Sequence, residues 1–108
     1  MPRTLTEPQK FVTVYISIGN SDDKLPQAGW HNYVCDVESA IYAYAWEVHG
    51  IWLSESRSRY QNACWCIEIA PKEIQGLIDR LTNQAHVYDQ DSIAWAEVSG
   101  TQFLGAAK

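Results

Sequence analysis

From Phe11 to Ile18 the chain alternates: Val12, Val14, Ile16 and Ile18 fall on one side, and Phe11, Thr13, Tyr15 and Ser17 on the other. A β-branched run of period two predicts a strand. It ends at Gly19-Asn20-Ser21-Asp22-Asp23, a cluster of turn formers. Pro26 suits a first helical turn, where a missing N–H costs nothing. Trp30, Tyr33, Val34, Val37, Ile41 and Tyr44 then recur at helical spacing and predict an amphipathic helix over 26–44. Alternation returns over 45–54, with Trp46, Val48, Gly50 and Trp52 set against Glu47, His49, Ile51 and Leu53. The polar run 55–59 reads as a hairpin tip. A third strand over 60–69 puts Ala63, Trp65, Ile67 and Ile69 on one face and Asn62, Cys64, Cys66 and Glu68 on the other. Pro71 opens a second helix whose stripe is Ile74, Leu77, Ile78 and Leu81, ending at Asn83-Gln84. A fourth strand is expected over 86–98, irregular at 89–92.

The order β-α-β-β-α-β is the ferredoxin-like α+β arrangement. Right-handed crossovers place both helices on one face of a four-stranded antiparallel sheet, in the order 4-1-3-2. Residues 11–98 are expected to form a single domain, preceded by a flexible lead (1–10) and followed by a tail (99–108). The sheet face away from the helices, bearing Tyr15, Cys64, Cys66 and Glu68, is left uncovered. Five Trp and six Tyr against two Phe form an amphipathic aromatic set suited to interfaces and ligand walls. A homo-oligomer is therefore expected, through the open face or by pairing of edge strands.

Composition narrows the class. The 108 residues are 46% apolar and 19% charged, which excludes a disordered chain. The formal net charge of −5 argues against general nucleic-acid binding and against a polybasic membrane anchor. No apolar run suits a bilayer span, and Met1-Pro2-Arg3-Thr4 starts no signal core, so a cytoplasmic protein is expected. Cys35, Cys64 and Cys66 are then reduced thiols, without the spacing of a zinc or redox motif. No metal or other cofactor is expected.

Candidate chemistry starts at the 19–24 turn. Asn20, Asp22 and Asp23 offer fixed acceptors and Lys24 a cation, which suits a polar ligand. The two aspartates also suit the simpler role of satisfying a helix start. This turn is expected beside Trp46, Glu47 and His49, and beside Tyr88, Asp89 and Asp91. Arg57 and Arg59, at the opposite end, would reach a ligand's phosphate from a neighbouring subunit. Trp46 and Tyr88 supply aromatic walls. An enzyme would instead use His49 as a general base with Glu47 or Asp91, although no catalytic motif is present. A protein that only makes structural interactions is the third class.

The segment 15–25, Tyr-Ile-Ser-Ile-Gly-Asn-Ser-Asp-Asp-Lys-Leu, together with 61–66 and Asp91-Ser-Ile-Ala-Trp95, resembles small proteins of bacteriophages and their actinobacterial hosts over about 11–104. That resemblance implies a binding protein acting on host defence, for instance by sequestering a nucleotide signal. By architecture alone, dimeric ferredoxin-like proteins also include cofactor-independent and haem-degrading monooxygenases.

Overall fold

The computed structural model describes residues 10–55, 57–100 and 102–106. Its elements are β1 (Val12–Gly19), α1 (Gln27–Tyr44), β2 (Glu47–Leu53), β3 (Asn62–Ile69), α2 (Pro71–Val87) and β4 (Ala94–Glu97), with a 3-10 turn at Ser21–Asp23. The sheet runs β2-β3-β1-β4 with every pairing antiparallel, so the fold is ferredoxin-like as expected. The residues of the expected lead, 1–9, lie outside the described set.

Alternation along β1 and β3 builds the core. Val14, Ile16, Ile18, Ala63, Trp65, Ile67 and Ile69 are buried and meet Tyr33, Val37, Ile41, Leu77 and Leu81 from the helices. The indole N–H of fully buried Trp65 donates to Glu38 Oε2 at 3.0 Å, tying the central strand to α1. The helices approach closely at Gly76, where a Cβ would stand 2.7 Å from Tyr44 Cε1.

Two expected elements are corrected. α2 continues through His86 to Val87, and β4 begins only at Ala94. The segment 86–93 is therefore a helix end and a loop, turned at Asp89 by a left-handed backbone (φ 55°). In β2 a bulge between Val48 and Gly50 resets the alternation. Before it, Val48 pairs with helix-side Ile67; after it, Ile51 and Leu53 pair with helix-side Trp65 and Ala63. Gly50 and Trp52 are thereby moved to the open face, beside Cys66 and Cys64. An extra residue in one strand shifts every later side chain to the other face.

Candidate functional site

Because neighbouring strands are antiparallel, the end of β1 lies beside the starts of β3 and β4 and the end of β2: Gly19 faces Asn62, Ser17 faces Ala94, and Leu53 faces Ala63. The 19–24 turn lies beside Asp89 and Asp91 as expected, but it sits with the 57–61 segment of the tip, whereas Trp46, Glu47 and His49 lie at the far end of the sheet. Trp46 stacks on Phe11 there, ring centroids 4.8 Å apart. His49 Nε2 lies 3.4 Å from Glu68 Oε1, which also accepts the Thr13 hydroxyl at 2.6 Å. Its carboxylate neighbour is thus Glu68, and it stands apart from Asp91.

Three loops converge on the near end and are knitted together by amides. Asn20 Nδ2 donates to Leu25 O and to Gln61 Oε1, both at 2.8 Å, and its Oδ1 accepts from Leu25 N at 2.9 Å. Buried Gln90 accepts the Ser21 N–H at 2.6 Å and donates to Tyr88 O at 3.1 Å. The Ser21 hydroxyl accepts from Asp91 N at 3.1 Å. Lys24 Nζ donates to Asp89 O at 3.1 Å and lies 3.6 Å from Asp91 Oδ1. Asn20 and Lys24 are consequently scaffold, their polar atoms turned onto the protein, while Asp91 is tied in through its backbone N–H and keeps its carboxylate largely exposed. Tyr88 is scaffold too. It donates to Asp36 Oδ2, and that bond pushes its phenol up to about 12. Its ring packs 4.9 Å from that of Tyr33.

What this scaffold presents is a cleft of about 630 Å³ between the 19–23 turn, the Arg59–Asn62 segment and the Ser92–Ala94 approach to β4. Asp22 and Asp23, exposed on one wall, both have left-handed backbones (φ 50° and 54°). Neither caps α1, whose N-cap position is Pro26, so the helix-start reading of these aspartates does not hold. The Arg59 guanidinium lies 5.6 Å from the Tyr60 ring centroid, within cation–π range, on the other wall. Arg57, exposed on the tip, is absent from the lining.

Of the expected ligand residues, Asp22, Asp23 and Arg59 come together on the cleft with Asn20 as its floor. Lys24, Trp46, Arg57, Tyr88 and Asp91 do not line it. Sequence reasoning missed Tyr60, Gln61 and Gln90. The available signal was an antiparallel return from Gly19 to Asn62, which brings the hairpin tip to the turn. Among the described residues, no group of three or more His, Cys, Asp or Glu side chains is placed to hold a metal, and no helix is long and apolar enough to cross a membrane.

No family model and no curated protein matches this chain. Solved structures do resemble it. A de novo designed protein, Foldit4, superposes with a TM-score of 0.60 at 12% identity, over 85% of this chain and 100% of that one. The C-terminal domain of the MgtC protein from Mycobacterium tuberculosis gives 0.55 at 9% identity, over 89% and 97%. A candidate antibiotic biosynthesis monooxygenase from Caulobacter crescentus gives 0.52 at 9%, over 87% and 92%. At such identities, and with a designed protein among the matches, the likeness establishes the ferredoxin-like fold and leaves chemistry to the site itself.

Proposed function

We propose that the protein is a non-catalytic, homo-oligomeric binder of a small polar, nucleotide-like ligand, held in the cleft at the near end of the sheet. The observation that carries this reading is the pairing of opposed walls. Arg59 with Tyr60 offers a cation and a ring face, and Asp22 with Asp23 offers two solvent-facing carboxylates on left-handed backbones. Such backbones cost an L-residue about 1–2 kcal/mol each, least for Asp and Asn, and strain of this kind clusters at binding sites. The cleft volume falls in the range of small-molecule sites. A nucleoside monophosphate matches the set: a base on Tyr60, ribose hydroxyls donating to the aspartates, and a phosphate on Arg59. A role against host defence signalling is what the resemblance to phage-encoded proteins implies, and the cytoplasmic setting expected from the sequence belongs to this same proposal.

The test is calorimetric titration of the full chain with the four ribonucleoside monophosphates, alongside inorganic phosphate. At least one nucleotide is expected to bind, and Arg59→Ala should weaken it about 10- to 150-fold, matching about 1.5–3 kcal/mol for a charge-assisted hydrogen bond. The reading fails if none binds at millimolar concentration, or if Arg59→Ala leaves affinity unchanged. A catalytic reading rests on the His49–Glu68 pair. It predicts that a bound molecule is recovered converted, whereas a binder returns it intact.

A further inference from the structure

β2 is an outer strand of the sheet, and its second half is apolar and open on both faces. Ile51 is 43% exposed, Trp52 59% and Leu53 51%. Ile51 and Leu53 lie on the helix side, yet the helices leave them in solvent. The backbone there is unpaired on one side as well. Ser54 N–H donates to Asn62 O at 3.0 Å, so by alternation Trp52 and Ser54 turn their amides towards β3 while those of Ile51 and Leu53 point outwards. An exposed apolar edge without Lys or Pro is a template for another strand.

We infer that β2 pairs antiparallel with β2 of a second copy, about a two-fold axis at Trp52. This rests on the homo-oligomer part of the proposed function and assigns its surface. The strand is self-complementary in that register: Trp52 meets Trp52 of the second copy, and Ile51 meets its Leu53, twice by symmetry. The outward amides and carbonyls of Ile51 and Leu53 then pair, giving four backbone hydrogen bonds. All lie in the regular part of the strand beyond the bulge, whereas an axis at Ile51 would bring the bulged His49 into the ladder. Stacking of two open faces is the poorer solution, because it would bury Glu47 and Glu68 of both copies against an acidic partner.

The experiment is light scattering on the full chain at tens of micromolar, for the wild type and for Ile51→Pro. Proline at 51 removes an outward donor and no bond to β3, so the sheet should survive. The wild type is expected at twice the 12.3 kDa chain mass and Ile51→Pro at that mass itself, with an unchanged circular dichroism spectrum. Amide exchange on the wild type covers the case of a variant that fails to fold: the Ile51 and Leu53 amides should be protected at high concentration and exchange freely on dilution. A monomeric wild type overturns both the pairing and the homo-oligomer reading. A dimer that persists in folded Ile51→Pro, or whose Ile51 and Leu53 amides exchange freely at high concentration, overturns the pairing alone.

Discussion

Gln90 is the buried polar residue on which the cleft depends, so its replacement makes the sharpest test of how the site is held. Gln90→Leu keeps a side chain of similar bulk but removes both hydrogen bonds, stranding the Ser21 N–H and Tyr88 C=O. The residue is 8% exposed, while Ser21 is only half-buried. The stranded N–H therefore costs about 1–2 kcal/mol, the lower part of the range for an unsatisfied buried group, and the second lost bond about 1 kcal/mol. A loss of about 2–3 kcal/mol is a large share of the roughly 5–15 kcal/mol available to a domain. Urea unfolding should show it as a lower midpoint at unchanged slope. Gln90→Glu retains the acceptor for Ser21 while setting a carboxylate against the Tyr88 carbonyl, so it should fall between wild type and Gln90→Leu. Exchange of the Ser21 amide should accelerate in Gln90→Leu and much less in Gln90→Glu. A loss below about 0.5 kcal/mol, the scatter of an ordinary surface substitution, would refute the assignment of Gln90 as the clamp between the loops.

Three further outcomes are expected. Asp22→Gly should raise stability by up to about 1 kcal/mol by relieving a left-handed backbone, while weakening any ligand that the carboxylate holds; thermal melts and titration on one sample check both. Gly76→Ala, which in an open helix would gain about 1 kcal/mol, should instead lose about 1–2 kcal/mol because its Cβ meets Tyr44, and Tyr44→Leu should restore the gain in a double-variant unfolding cycle. Burial pushes the Tyr33 phenol up to about 12 from an ordinary 10, so the fold favours its neutral form. Its contribution is complete below pH 10 and lost as pH climbs towards 12, and Tyr33→Phe should flatten that part of a melting-temperature profile.

The legible parts of the fold were those where one period runs unbroken. In β1 and β3 the alternating apolar row is buried in the core, with Val12 partly buried at its end, and in α1 Trp30, Tyr33, Val37 and Ile41 are buried with Val34 packed at the margin. Two segments broke the reading for different reasons. His86 and Val87 look strand-like beside Tyr88, yet they continue α2, because propensity at a helix end is weaker than the ladder it extends. In β2 the bulge is invisible to alternation, since Trp46 to Leu53 fits a regular strand as well as an interrupted one. Only pairing with β3 distinguishes them.

The site was legible by residue type and illegible by role, and hydrogen-bond capacity explains why. Asn20 is of a type that suits a ligand contact, yet its donors and acceptor are committed to Leu25 and Gln61. Lys24 suits an anion, yet its ammonium is turned onto Asp89 and Asp91. A polar group that has spent its capacity on the protein offers a ligand only what it gives up internally, and in a partly buried site that exchange is close to neutral at best. Recognition must therefore come from groups that the scaffold leaves unspent. Asp22 qualifies, and Asp23 too apart from one long bond accepted from Asn20 Nδ2 at 3.5 Å, through backbones that no helix cap requires, and Arg59 through a position shared by the cleft and the adjoining recess over Pro26. The same logic selects the outward amides of Ile51 and Leu53 at the sheet edge. In both places the chain commits its amides and side chains to holding a shape, and what remains uncommitted marks where another molecule can bind.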